Sequence, residues 1–166
     1  MRLANSSILA FALMAGGACA RDVPRAIVEG EDNCTQCHMG VAELRFAAQA
    51  RTATGKVLIF DSVECLARHV AEAPAGTTWR GLHVTDHDAP GSWLPVESAR
   101  FLADGTIASP MGMRLAAFAA ESSPDALTSR YEGRVVDWHG VLELVRAADA
   151  AALHGAVAPH QHEARP

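Results

Sequence analysis

Apolar positions in the first half of the chain alternate, then lengthen their period, then alternate again. Phe46 to Ala53 and Lys56 to Phe60 read as two strands, the second carried by Val57, Leu58 and Ile59, with Thr54-Gly55 as the turn between them. From Val63 onward the apolar residues Val63, Leu66, Ala67 and Val70 fall at helical spacing, behind Asp61 or Ser62 as the capping residue. Pro74-Ala75-Gly76 ends that helix, and Thr78 to Thr85 predicts a third strand. The unit over residues 33–93 therefore reads β-β-α-β.

The second half, residues 94–153, shows a related pattern. Met39-Gly40 followed by Phe46-Ala47-Ala48 matches Met111-Gly112 followed by Phe118-Ala119-Ala120 at the same spacing. Gly55-Lys56-Val57 with Phe60, Val63 and Leu66 matches Gly133-Arg134-Val135 with Trp138, Val141 and Leu144. Glu121 to Glu132 reads as an inserted loop, and a last helix is predicted from about Gly140 to Leu153. The expected fold class is α+β, two repeated β-β-α-β units of treble-clef-like size packed together. In that register Met39 and Met111 face one another across a pseudo-twofold axis.

The two ends read differently. Arg2, the apolar run Ile8 to Ala15 and the small residues Gly16-Gly17-Ala18 before Cys19 have the layout of a secretory signal over residues 1–20, too short to span a bilayer. Either Cys19 becomes a lipidated first residue, or Ala18-Cys19-Ala20 directs cleavage after Ala20. Residues 21–32 read as a polar linker and 154–166 as a disordered, histidine-containing tail. The 166 residues, 49% of them hydrophobic and only 5% aromatic, suffice for a core built of small side chains. A formal charge of -5 speaks against nucleic acid as a partner.

Export changes how the cysteines read. Beyond Cys19 there are three, Cys34, Cys37 and Cys65, and an odd set in an oxidising compartment cannot pair completely. Cys34-x2-Cys37 can direct two sulfurs at one ion, and Met39, two residues further on, points to the same side as Cys37 where the segment is extended. Thioethers suit Cu(I) and are poor ligands for zinc, so Cys34, Cys37, Met39 and Met111 are the candidate metal ligands, with Cu(I) as the ion. Met113 reads as packing. One alternative is a structural zinc site of Cys34, Cys37, Cys65 and His69; another is a thiol–disulfide oxidoreductase using Cys34 and Cys37. His83 and His87 flank the end of the third strand, and His154, His160 and His162 lie in the tail. No nucleophile elbow, phosphate loop or general base accompanies these sulfurs, so no enzymatic activity is expected.

The string Cys34-x2-Cys37-x-Met39, with Phe46-Ala47-Ala48, Gly55-Lys56, Phe60-Asp61-Ser62-x2-Cys65-Leu66, Trp79, Val84-Thr85-Asp86, Trp93 and Ser109-Pro110-Met111-Gly112, resembles the NosL family over about Asn33 to Arg146. Those proteins are accessory lipoproteins of nitrous oxide reductase maturation. The resemblance implies a periplasmic Cu(I) carrier, anchored through lipid on Cys19, that works beside a membrane transporter and loads a cuproenzyme. It carries the ligand roles onto Cys37, Met39 and Met111. Relatives often have Gly where this chain has His38, so an extra nitrogen ligand is open there.

Overall fold

The structure is a computed structural model described over residues 23–156. Its elements are β1 (Ala48–Thr52), β2 (Val57–Phe60), α1 (Val63–Glu72), β3 (Trp79–Thr85), β4 (Trp93–Pro95), β5 (Arg100–Ala103), β6 (Ala116–Phe118), α2 (Pro124–Tyr131), β7 (Arg134–Val136) and α3 (Trp138–Ala156). The strands form two antiparallel sheets, ordered β2-β1-β3-β4 and β6-β5-β7. This is an α+β fold.

Side chains that alternate along a strand leave by opposite faces, and here both faces meet protein. From β1 and β2, Ala48, Ala50, Leu58 and Phe60 enter the main core, while Ile59 joins Ile27, Val41 and Ala47 on the other side. From β5 and β6, Phe101, Ala103 and Ala117 enter the same main core, while Leu102, Ala116 and Phe118 pack beneath α2 with Leu127. The main core joins the sheets, because α1 contributes Val63, Cys65, Leu66 and Ala67 to it and α3 contributes Val141 and Val145. Alanines at the facing strand positions let the helices come close, which accounts for an apolar chain so poor in aromatics.

The first β-β-α-β unit follows the sequence expectation closely. Ser62 is the cap of α1, its Oγ accepting the Cys65 N–H. The short stretch Leu44–Phe46 is a single 3-10 turn rather than the start of a strand, so β1 begins at Ala48.

Three expectations change. Residues from Val23 onward are no free linker: Ile27 is buried, the Gln49 side chain bonds both the N–H and the carbonyl of Arg25, and Arg25 pairs with Asp32. The supposed loop at Glu121 to Glu132 contains α2, for Ser123-Pro124-Asp125 is a helix start, with proline at the first position where its missing N–H costs nothing. The last helix begins at Trp138 and continues to Ala156, so His154 lies within it and not in the tail.

The register of the repeat is also revised. β1-β2-α1-β3 and β5-β6-α2-β7 thread their sheets alike, the first strand of each lying between the other two. By that threading α1 corresponds to α2, whereas the Gly55–Gly133 match had paired α1 with α3. Gly55 turns between β1 and β2; Gly133 sits between α2 and β7, where an added Cβ would lie 2.3 Å from the Ala103 carbonyl oxygen. Met39 precedes β1, whereas Met111 lies between β5 and β6, so the two methionines do not hold equivalent places. The short alanine-rich strings therefore do not mark corresponding positions: Phe46-Ala47-Ala48 runs from the 3-10 turn into β1, whereas Phe118-Ala119-Ala120 leaves β6.

Candidate metal centre

Asn33 to Gly40 forms a tight hairpin. Asn33 and Gly40 pair as an antiparallel bridge, the Cys34 N–H bonds the Met39 carbonyl at 2.8 Å, and the His38 N–H bonds the Cys34 carbonyl at 3.0 Å. The turn closes at His38, whose φ of 62° is left-handed. That conformation suits glycine best and is tolerated by histidine at a cost. It also overturns one argument from spacing: residues 37 and 39 share a side only in an extended segment, and this segment is a turn.

The hairpin is braced on two elements. Its Thr35 N–H donates to the Ile59 carbonyl of β2 at 2.7 Å. Gln36 reaches α1, its Nε2 donating to Glu72 at 2.9 Å and its Oε1 facing His69 Nδ1 at 3.2 Å. Under the hairpin, Cys65 occupies the first turn of α1. The sulfurs of Cys34, Cys37 and Cys65 lie within 4.8 Å of one another, and all three cysteines are free thiols. Cys34 and Cys65 are 1% exposed, whereas Cys37 is half-buried.

These sulfurs share protons unequally. The Cys65 thiol donates to Cys34, and this outweighs the burial that opposes charge; backbone N–H groups of Cys37, Asp61 and Gln36 add to it, so Cys34 titrates far below an ordinary thiol. Cys65 is pushed up by the same bond, by burial and by the charge on Cys34. Burial is the main cause that raises Cys37. The three thiols are thus coupled: the hydrogen bond from Cys65 favours charge on Cys34, and charge there disfavours ionisation of the other two.

The remaining candidates separate clearly. Met39 is 48% exposed at the rim of the hairpin. Met111 is partly buried against the main core, on the same cluster as Cys37. Met113 packs there too, but its sulfur takes an N–H from Arg68 at 3.8 Å, and Arg68 is paired with Asp149 at 2.9 Å. The zinc set divides: Cys65 joins the sulfur pair, but His69 does not, since its ring lies against Phe60 and Trp79 and its Nδ1 meets Gln36.

His87, beyond the end of the third strand, is 9% exposed and ringed by Phe46, Phe118 and Tyr131. Cys19 and the tail residues His160 and His162 fall outside the described residues, as does the side chain of His154.

Two features escaped the sequence. Cys65 was visible only as part of a zinc set, although its place three residues after the cap Ser62 puts it at a helix start beneath the hairpin. Glu64, next to it, is fully buried: its Oε1 accepts from the Ser109 hydroxyl, and its Oε2 has no partner among the described residues. Ser109 precedes Pro110-Met111, so this bond ties the helix bearing Cys65 to the segment bearing Met111.

The crystal structure of the copper chaperone NosL from Shewanella denitrificans is similar to this fold, with a TM-score of 0.62 at 18% identity, covering 71% of this chain and 94% of that one. Comparison with curated protein sequences yields no match. A model of the NosL family matches residues 25–145, a span that takes in the cysteine hairpin and both sheets. The chain belongs to the NosL family.

Proposed function

We propose that the chain is a Cu(I) carrier of the periplasm, which holds the ion on sulfur and passes it to a cuproenzyme without transforming it. One observation carries this reading: three unpaired thiols converge within 4.8 Å, at a hairpin whose rim presents a half-exposed methionine. Cu(I) is soft and is satisfied by two or three sulfur ligands, which leaves a place for a ligand of the recipient. Cys34, Cys37, Met39 and Met111 are the sulfurs assigned to binding and hand-over, with Met39 at the exit. The copper chaperone of similar fold supports the assignment. Nitrous oxide reductase is the proposed recipient, beside a membrane transporter, on the strength of the family resemblance. Lipid on Cys19 is the proposed anchor.

The test is an anaerobic titration of the mature chain with Cu(I) against a chromogenic chelator. One Cu(I) per chain is expected, lost when Cys34 and Cys37 are both replaced by serine, with the fold retained by circular dichroism. Zinc held stoichiometrically through purification, or no competition with the chelator, would overturn the reading.

A further inference from the structure

We propose that Cys65 is the third resting ligand, closing with Cys34 and Cys37 a buried three-sulfur position for Cu(I), while the thioethers Met39 and Met111 take the ion only as it leaves. This rests on the carrier reading above and adds where the ion waits and which residue guards it.

Geometry comes first. A metal–sulfur bond of ~2.3 Å places three sulfurs in a trigonal plane ~4.0 Å apart. The thiols already stand within 4.8 Å of one another, so loading needs a contraction of less than an ångström per pair. The framework suits that, because the hairpin is bonded to β2 through Thr35 and to α1 through Gln36, while Cys65 is fixed in the capped first turn. Two rigid elements thus present the sulfurs before any ion arrives.

Exposure then orders the ligands. Cys34 and Cys65 are 1% exposed, Cys37 is half-buried and Met39 is 48% exposed. An ion on the three cysteines is shielded from water and oxidants, and Cys37 is its connection to the surface. Release is a ligand exchange: the bonds from copper to Cys65 and Cys34 break as bonds to Met39 or Met111 form, and the bonds to Cys37 and the thioether break in turn as ligands of the recipient bind. Cys65 and Cys37 regain protons from solvent, and Cys65 regains its hydrogen bond to Cys34. Copper stays Cu(I) throughout, and no electron is transferred. Met113 takes no part, since Arg68 occupies its sulfur.

The experiment uses the mature chain with selenomethionine in place of methionine, loaded anaerobically with substoichiometric Cu(I) and examined by X-ray absorption at the copper edge. Three copper–sulfur contacts and no copper–selenium path are expected. Cys65→Ser should bring in a copper–selenium path and lower Cu(I) affinity by at least the ~10–100-fold that loss of a supporting residue costs a metal site. Met39→Ala should slow transfer to an acceptor chelator. A copper–selenium path in the unaltered protein overturns the proposal, whatever Cys65→Ser does, and so does a folded Cys65→Ser chain of undiminished affinity. Should Cys65→Ser fail to fold, the spectrum of the unaltered protein still decides. Absence of any Cu(I) uptake would instead sink the carrier reading itself.

Discussion

Replacing Ser109 by alanine removes a single hydroxyl, yet it should be among the costliest small changes in the molecule. The Ser109 hydroxyl donates to Glu64 Oε1 and accepts the Leu115 N–H at 3.3 Å, and Glu64 is fully buried with its second oxygen unpartnered. A buried acceptor left without its donor costs about 1–3 kcal/mol, and a buried donor left without an acceptor adds about 1 kcal/mol. Together these make roughly 3 kcal/mol the expectation for Ser109→Ala. Urea unfolding is the assay: with a slope of about 2 kcal/mol per molar, the midpoint should fall by about 1.5 M. Combining it with Glu64→Leu isolates the pair, since with the carboxylate gone the same Ser109→Ala change should cost only about 1 kcal/mol. A midpoint shift below about 0.25 M, or strictly additive costs, would refute the claim that Glu64 depends on Ser109. Because this bond ties α1 to the Met111 segment, the same variant reports how firmly the two are joined.

Three further outcomes follow from the structure. Gly133→Ala should cost on the order of 10 °C in Tm, since its Cβ would meet the Ala103 carbonyl at 2.3 Å with φ at 76°, whereas Gly30→Ala, equally left-handed but with nothing within 4 Å, should lose no more than about 4 °C. Burial, opposed by Asp88, lowers the His87 pKa, so the stability His87 gives is full above the ordinary value of about 6.5 and is lost as pH falls toward the folded-state value; His87→Phe should flatten that decline in thermal melts between pH 7 and pH 5. Met113→Ala should lower stability by about 2 kcal/mol through lost packing and leave Cu(I) affinity unchanged in chelator competition, and a fall in affinity would return Met113 to the ligand set.

What the residues disclosed, and what they withheld, follows from the range of the interactions concerned. Ser62 with Val63, Leu66, Ala67 and Val70 announces α1, because capping and helical spacing are local. The α+β class was legible for the same reason. Ser123-Pro124-Asp125 carries an equally local start signal, but α2 has a weak apolar face, with Leu127 alone fully buried, and the polar residues around it read as loop. Longer-range facts were hidden. Nothing near Gly133 in sequence reports the Ala103 carbonyl that forbids a side chain there, so its resemblance to the turn glycine Gly55 misled the register. Nothing near Cys65 separates a partner of Cys34 from a partner of His69; that choice is made when Gln36 claims the His69 ring from across the hairpin. The left-handed His38 defeated a two-residue periodicity that holds only for extended chain.

If Cys19 carries a lipid as proposed, the fastening of Val23 to Asp32 onto the first sheet would set the working distance of the cysteine hairpin. Arg25 is clasped by Gln49 of β1 and by Asp32, and Asp32 adjoins Asn33, where the hairpin opens. With lipid on Cys19, the four peptide steps to Val23 span at most ~14 Å at full stretch. The protein would then be moored on a short line, not a long tether, and its hairpin could search only a thin layer above the bilayer. A recipient docking site deeper in the periplasm would be out of range, while one on a membrane-seated transporter would be met at high local concentration. Lengthening the segment between Cys19 and Val23 with flexible residues is therefore a direct way to vary hand-over without touching a single sulfur.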